Sequence, residues 1–263
     1  MSAGTGVAPM TISPLARWLI NNYDWRPAQL AIGIGVWLVL IPVSFLVRRP
    51  PAVAPAPRME GVPAGGMSVG QALRSPQFAV LALTFFACCA THSGPIFHTV
   101  SYAIYCGLPA MTAVTIYSLE GLAGLGGRLL LGLLADRFGV KPVLVAGLAV
   151  QAAGAAAYMY ARDIDQFYAV ALVFGMAYGG VMPLYAVLAR DYFGQRIMGS
   201  VFGAAAMISS IGMAIGPSLG GWIFDTFQSY NWLYIVSACL GLVAVAIALA
   251  FPPQPSRLRP VMG

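Results

Sequence analysis

Long runs without a charged residue are the feature that most limits how this 263-residue chain can fold. Only 8% of the residues are charged, and the longest gaps between them cover residues 1–16, 27–47, 75–119, 142–161, 166–189, 197–224 and 226–256. A helix needs about 20 apolar residues to cross roughly 30 Å of bilayer hydrocarbon, and most of these runs are long enough. They are continuously apolar and lack the alternation of a membrane β-strand. They therefore predict an all-α, polytopic membrane protein.

The same composition excludes several classes of function. A soluble domain carries roughly 25% charged residues, about three times the fraction found in this chain. The net charge of +6 cannot form a basic face for nucleic acid, because its residues lie in short loops between apolar runs. The four cysteines lie in or beside apolar runs, at spacings that match no zinc motif. We therefore expect a lipid bilayer around the chain and neither enzyme activity, cofactor, metal nor nucleic-acid partner.

The number of spans follows from where the runs break. The run at residues 75–119 is too long for one helix, and Gly107-Leu108-Pro109 supplies a break. Eight transmembrane helices are then predicted, at about residues 2–21, 27–47, 76–103, 110–134, 142–161, 166–189, 199–223 and 230–251.

Lysine and arginine are distributed unequally between alternate loops. One side of the membrane receives Arg17, Arg26 and Arg162, and the other receives Arg48, Arg49, Arg58, Arg74, Arg137, Lys141, Arg190, Arg196, Arg257 and Arg259. The second side is predicted to be cytoplasmic, because positive charge accumulates there. We therefore expect both termini to lie in the cytoplasm and the chain to lie in the cell (inner) membrane.

The loop between the second and third spans divides the chain. Its Pro-rich stretch cannot form a helix interior and predicts an extended linker. The predicted units are two spans at residues 1–47, a cytoplasmic linker at 48–75, a six-helix unit at 76–251 and a cytoplasmic tail at 252–263.

A charged motif follows the fourth span, where the sequence reads Gly132-xxx-Asp136-Arg137-x-Gly139-x-Lys141. A glycine lets helices approach closely, and an aspartate followed by cations can make charge-assisted contacts with a neighbouring helix end. The motif resembles the cytoplasmic loop signature of the major facilitator superfamily. In that family these contacts latch the cytoplasmic side shut, so the resemblance implies a latch at these five residues. The alternative is a charge cluster that only sets the topology.

Further motifs resemble one branch of that superfamily, the oxalate/formate antiporters and monocarboxylate transporters. They are Trp25-Arg26, Phe174-Gly175, Tyr178-Gly179-Gly180, Phe193-Gly194 and Gly216-Pro217-xx-Gly220-Gly221-xxx-Asp225. Family members have twelve spans in two six-helix bundles, with the solute pathway between the bundles. The resemblance implies that residues 76–251 form the C-terminal bundle and that residues 1–47 are the last two spans of the N-terminal one. We expect four spans to be missing, so that the missing N-terminal spans or a partner bundle would complete the cavity.

Two charges, Glu120 and Arg128, fall clearly inside a predicted span. Each costs at least about 2.5–3.5 kcal/mol at the bilayer centre and should therefore face the protein interior or a water-filled cavity. The guanidinium of Arg128 keeps its charge and matches a carboxylate through two parallel hydrogen bonds. In the resembled branch an arginine at this place binds the carboxylate substrate. A structural arginine that pairs with a neighbouring helix is the alternative.

Glu120 is a candidate for the substrate site or for proton transfer. A carboxyl group in an apolar interior favours its neutral form, so it can carry the proton of a symporter. Monocarboxylate transporters, however, place an aspartate one turn before the arginine, and that position here is Gly124. A buried structural acid is the alternative.

The third span supplies the remaining candidates. His92 lies near the predicted midplane, and His98 and Tyr102 lie closer to the outer face; both histidines can titrate near neutral pH or donate a hydrogen bond to a carboxylate. Gly94 and Pro95 predict a bending point in this span. Each histidine can instead be a packing residue.

The predicted function is transport of a small organic anion by alternating access, as symport or antiport, with protons as a further candidate partner. Residues 199–222 contain no lysine or arginine, whereas oxalate transporters of the branch have a lysine in that helix. A single cation favours a monocarboxylate over a dianion. The alternatives are a drug or neutral-solute efflux permease of the same superfamily and a non-transporting fragment that needs a partner.

Overall fold

The computed structural model describes residues 4–46 and 67–252, and every regular element within these ranges is a helix. The helices are α1 (Gly4–Tyr23), α2 (Trp25–Leu46), α3 (Val69–Leu73), α4 (Pro76–Tyr105), α5 (Ala110–Phe138), α6 (Val140–Tyr158), α7 (Ile164–Phe193), α8 (Met198–Phe227) and α9 (Asn231–Leu249). The predicted all-α fold is confirmed. Most of the predicted linker, at residues 48–66, and nearly all of the predicted tail, at 253–263, lie outside the described residues.

A helix lies at each of the eight predicted spans, but only seven of these described helices are long and apolar enough to cross a membrane. The exception is α1, in which Pro9, Pro14 and Arg17 interrupt the apolar sequence. The short helix α3 lies inside the predicted linker. It begins at a capping box, in which the Ser68 side chain accepts from the Gln71 backbone and Gln71 reaches back to Ser68.

Helices α4 to α9 form a six-helix bundle with internal symmetry. The two most extensive helix contacts are those of α4 with α8 and of α5 with α7, followed by α4 with α9, α6 with α9 and α6 with α7. Suppose that α4, α5 and α6 correspond to α7, α8 and α9, respectively. The contact of α4 with α8 then corresponds to the contact of α7 with α5. This pairing is what an inverted repeat of three helices produces.

Two apolar cores occupy opposite ends of the bundle. One core contains the buried apolar residues within 78–89 of α4 and within 140–148 of α6, and the other contains Tyr102 of α4 and Tyr158 of α6. Between them along the helices lie the buried polar side chains Thr91, His92, Ser93, Thr99, Ser118, Glu120, Gln151 and Ser237. Buried polar groups must find partners inside the protein, so this middle layer holds the hydrogen-bond networks described below.

Helices α1 and α2 lie outside the bundle. The Ser118 hydroxyl of α5 donates a hydrogen bond to the carbonyl oxygen of Pro9 in α1 (3.1 Å). Ala28 is the one buried residue that α2 contributes, and its apolar side chains are exposed along most of its length. In a bilayer these side chains contact lipid or further protein.

Candidate functional site

Close packing between α5 and α7 sets the position of Arg128. A Cβ atom added at Gly127 would overlap the backbone of Met176, and one added at Gly179 would overlap the backbone of Gly124. Gly175 and Gly180 meet the α5 backbone in the same way. The two helices therefore touch backbone to backbone, and this contact fixes the rotation of α5.

Arg128 follows directly after this contact and is partly exposed. One turn earlier on α5, a Cβ atom added at Gly124 would lie 3.6 Å from the hydroxyl of Tyr178 on α7. Arg128 is within electrostatic range of that tyrosine. Gly124 is the position at which the resembled branch has an aspartate, and here the hydroxyl of Tyr178 lies beside it.

Glu120 is fully buried inside the bundle. Its Oε2 atom accepts hydrogen bonds from the Tyr158 hydroxyl of α6 (3.1 Å) and the Thr99 hydroxyl of α4 (3.5 Å). Its Oε1 atom has no hydrogen-bond partner among the described residues. Eight residues separate Glu120 from Arg128, a rise of about 12 Å along α5, so the two side chains occupy different parts of the protein.

His92 is also buried, and α6 and α7 enclose it. Its Nδ1 atom lies 3.3 Å from the Nε2 atom of Gln151, and its ring stacks on Tyr178 with the centroids 5.3 Å apart. Gln151 donates to the carbonyl of Cys88 (3.0 Å) and accepts from the thiol of Cys88 (3.4 Å). Tyr178 thus joins this network to the region of Arg128.

Tyr102 is buried at the other end of α4. Its hydroxyl donates to the carbonyl of Tyr158 (3.1 Å) and accepts from Nη1 of Arg162 (2.8 Å). Tyr102 and Arg162 border a pocket of about 330 Å³ that Tyr105, Cys106, Ser229 and Asn231 also line.

His98 points toward α8. Its Nε2 atom lies 3.3 Å from the carbonyl oxygen of Pro217, and its ring occupies the space that a side chain at Gly220 would need. The five predicted binding residues therefore fall into three surroundings: Glu120 and Tyr102 around Tyr158, His92 beside Tyr178 near Arg128, and His98 against α8. Their roles toward a substrate stay predictions.

Several polar residues of the middle layer escaped the sequence analysis. Thr99, Gln151, Tyr158 and Tyr178 bind or stack on the predicted residues. Gln151 carried a usable signal, because it is a polar amide in an otherwise apolar span. Tyr158 carried none, because aromatic residues are common in membrane helices, and Tyr178 stood out only as part of the Tyr178-Gly179-Gly180 motif, without a role of its own.

Helix α4 continues through Gly94 and Pro95, the predicted bending point. A Cβ atom at Gly94 would lie 2.7 Å from Cδ1 of Leu233 in α9, so the glycine permits close packing there. The hydroxyl of Thr99 donates to the carbonyl of Pro95 (2.7 Å). A gating bend at this point stays a prediction.

The predicted latch residues lie at the opposite end of the bundle from Arg162. Gly132, Asp136 and Gly139 share a pocket of about 420 Å³ with Arg190 and Asp191 of α7. The expectation that Gly132 permits a close helix approach is wrong for the described part of the chain, because an added Cβ atom would meet nothing within 4 Å.

Two cations of the motif have local partners. The guanidinium of Arg137 lies 5.4 Å from the ring centroid of Phe138. Lys141 donates from Nζ to the carbonyl oxygens of Leu249 (3.0 Å) and Phe251 (2.5 Å), and so it caps the C-terminal end of α9. In this structure Lys141 therefore binds within the bundle, and its part in a latch stays a prediction.

Replacing Lys141 by Met is expected to lower the free energy of unfolding by about 1 kcal/mol, because the last carbonyl groups of α9 lose a cationic donor. Thermal unfolding of the protein in detergent measures the change. Arg137→Met is the matched control, because the Arg137 side chain is exposed and its cation–π contact with Phe138 is small. Equal effects of the two substitutions would contradict the capping role.

The comparisons with known proteins agree with this helical architecture. Residues 1–217 and 127–261 match the sequence model of the Major Facilitator Superfamily. The chain therefore belongs to this superfamily, whose members are transporters and not enzymes.

Two of the curated relatives that this chain matches are monocarboxylate transporters. The chain is 23% identical to monocarboxylate transporter 12-B of Danio rerio over 93% of this chain and 59% of the relative. It is 24% identical to monocarboxylate transporter 13 of Bos taurus over 95% of this chain and 58% of the relative. The chain thus spans less than two thirds of the length of these curated relatives.

A solved structure shows the same fold. A variant of the fucose:proton symporter of Escherichia coli aligns with a TM-score of 0.61 and 17% identity, over 87% of this chain and 55% of the symporter. The predicted superfamily membership is confirmed, and the two monocarboxylate transporters are similar to this chain at 23% and 24% identity.

Proposed function

We propose that the complete protein carrying this chain moves small organic anions, chiefly monocarboxylates, across the membrane by alternating access. The position of Arg128 carries this proposal: it is a permanent cation within a membrane helix, partly exposed, and held in place by the α5–α7 contact. A guanidinium there matches a carboxylate in charge and in hydrogen-bond geometry. The names of the relatives support the same class of substrate.

The charge of the site favours a monoanion. Helix α8 contains no lysine or arginine, and the other arginine of α5, Arg137, lies in the last turn of the helix, so Arg128 is the single cation that the two helices contribute away from their ends. Tyr178 adds a neutral hydroxyl beside Gly124, which can donate a hydrogen bond to a second oxygen of the substrate. The opposite wall of the cavity belongs to spans outside this chain or to a partner bundle.

Alternating access needs contacts that close one side of the protein and a helix that can bend. The pocket shared by Asp136, Arg190 and Asp191 supplies the charged contacts of a cytoplasmic latch, and Gly94-Pro95 supplies a candidate bend. Symport with protons or antiport would use His92, His98 or Glu120 as the coupling group. We assign the end with the linker to the cytoplasmic face of the inner membrane, because Lys and Arg accumulate there.

Uptake of radiolabelled lactate by cells producing the complete protein tests the proposal. We expect saturable uptake that formate inhibits, that oxalate inhibits more weakly and that a neutral sugar leaves unchanged. Cells with an empty vector supply the background. Inhibition by neutral solutes, without inhibition by monocarboxylates, would favour a neutral-solute permease and contradict the proposal. The 263-residue chain alone in liposomes is expected not to transport.

A further inference from the structure

A buried polar cluster surrounds Glu120 and contains two polar atoms without a hydrogen-bond partner among the described residues. Besides Oε1 of Glu120, the hydroxyl of Tyr234 in α9 is buried without a hydrogen-bond partner among the described residues. Unsatisfied buried polar atoms are rare in proteins, because each costs about 1–3 kcal/mol. Two of them, one on α5 and one on α9 within the same bundle, point to a function beyond packing.

The groups around Glu120 suit a neutral carboxyl. Helix α4 contributes the Thr99 hydroxyl, and α6 contributes the phenol of Tyr158, which binds the carboxyl group. The other titratable groups within electrostatic range of Glu120 are the phenols of Tyr234 from α9, Tyr178 from α7 and Tyr117 from its own helix. Helix α1, which also packs on α5, has Arg17 as its one charged residue, and the Ser118–Pro9 bond joins the two helices.

The Tyr158 hydroxyl donates to Oε2, and the Thr99 hydroxyl, whose single hydrogen is shared with the Pro95 carbonyl, lies 3.5 Å from the same atom. Oε1 is therefore left to carry a proton. A protonated Oε1 is a hydrogen-bond donor, and the oxygen of Tyr234 is an unused acceptor. Loading a proton would therefore supply a donor that the cluster lacks. A bare carboxylate would instead leave a charge in the apolar interior, which is costly.

A line of tyrosines connects this cluster with the pocket at Arg162. The Tyr102 hydroxyl, bound to Arg162, lies at the pocket, and the ring centroid of Tyr102 is 4.8 Å from that of Tyr234. The ring of Tyr234 in turn stacks on Tyr158 at 5.3 Å, and the hydroxyl of Tyr158 binds Glu120. Water in the pocket thus comes within a few side chains of the carboxyl.

We propose that Glu120, Thr99, Tyr158 and Tyr234 form a proton-binding site inside the six-helix bundle, separate from the anion site at Arg128 and loaded through the pocket at Arg162. In the loading step a hydronium ion in the pocket becomes water, and an O–H bond forms on Oε1 of the Glu120 carboxylate. The net charge of the cluster rises from −1 to zero. The use of this proton in transport rests on the proposed function, but its binding does not.

Infrared spectroscopy of the purified 263-residue chain in lipid nanodiscs tests the site without any transport assay. A protonated carboxyl has a C=O stretching band above the amide I region, and the band moves down in D₂O. We expect this band in the parent over a pH series from neutral to mildly acidic, and its loss in Glu120→Gln. In Tyr158→Phe the band should move up, because Oε2 loses a donor. Asp163→Asn, at an exposed position, is the control and should leave the band unchanged.

A folded parent without the band, or a band that survives in Glu120→Gln, would overturn the site. If Glu120→Gln does not fold, Tyr158→Phe and Thr99→Val keep the carboxyl and decide the question: a band that moves in both supports the site, and a band that moves in neither contradicts it. If the lactate uptake experiment fails, these bands are still expected, because proton binding at Glu120 does not depend on transport. If the bands are absent, the assignment of Arg128 to the anion site is unaffected.

Cys106 allows a test of the route, because this cysteine lines the pocket. In a Cys239→Ser background, a methanethiosulfonate reagent should modify Cys106, since Cys88 and Cys89 are buried. We expect modification to slow deuterium exchange at the Glu120 band. The same treatment of a variant that also carries Cys106→Ala should have no effect. Exchange that stays equally fast after complete modification of Cys106 would overturn loading through this pocket.

Discussion

Replacing Arg128 by Gln should abolish most uptake of monocarboxylates by the complete protein. Gln keeps hydrogen-bonding capacity but removes the charge that offsets the substrate carboxylate. Truncating one partner of a buried charged pair costs about 2–5 kcal/mol, so the half-saturation concentration for lactate should rise at least about 30-fold. Arg128→Lys should recover part of the affinity, because it keeps the charge and loses the two-pronged geometry.

Concentration-dependent uptake of radiolabelled lactate, normalised to the amount of protein in the membrane, measures this effect. Arg196→Gln is the matched control, because Arg196 is an exposed cation in the loop between α7 and α8, outside the anion site and the latch pocket. Thermal unfolding checks that each variant folds. Unchanged uptake by well-folded Arg128→Gln would contradict the assignment and favour a structural arginine.

Replacing Gly127 or Gly179 by Val should destabilise the protein strongly. At each position the first side-chain carbon would overlap backbone atoms of the opposite helix, and backbone atoms cannot move aside as a flexible side chain can. Helices α5 and α7 would have to separate, at an expected loss of about 3 kcal/mol or more in the free energy of unfolding. The same separation would displace Arg128, so anion uptake should fall together with stability.

Gly126 provides a matched control one residue from Gly127. A Cβ atom there would meet nothing within 4 Å, so Gly126→Val should change the free energy of unfolding by less than about 0.5 kcal/mol. Thermal unfolding in detergent compares the three variants. Equal stability of Gly126→Val and Gly127→Val would show that the α5–α7 contact is looser than described.

The order of apolar runs predicted most of the fold. Each of the eight predicted spans coincides with a helix, because a polypeptide in hydrocarbon must satisfy its backbone hydrogen bonds within each segment. The prediction was weakest at α1, where Pro9, Pro14 and Arg17 reduce the apolarity below that of the other spans. The helix α3 was missed, because a five-residue helix inside a Pro-rich loop has no apolar periodicity to reveal it.

The candidate site was predicted only in part. Rare intramembrane charges pointed to Glu120 and Arg128, since such residues are costly in a membrane. Their separation into different surroundings depends on the rotation of α5, which the glycine contact with α7 sets. Lys141 shows the same limit: its motif predicted a latch, whereas the structure places its ammonium group on the end of α9.

The sequence by itself determined that the chain is a helical membrane protein of one transporter superfamily, because long uncharged runs and short loop motifs are local properties of the chain. Only the tertiary structure decided which polar side chains meet. Thr99, Glu120, Tyr158 and Tyr234 come from four different helices, and no spacing along the chain relates them. Their contacts arise from helix crossings, where small residues allow close approach and thereby fix which face of each helix turns inward.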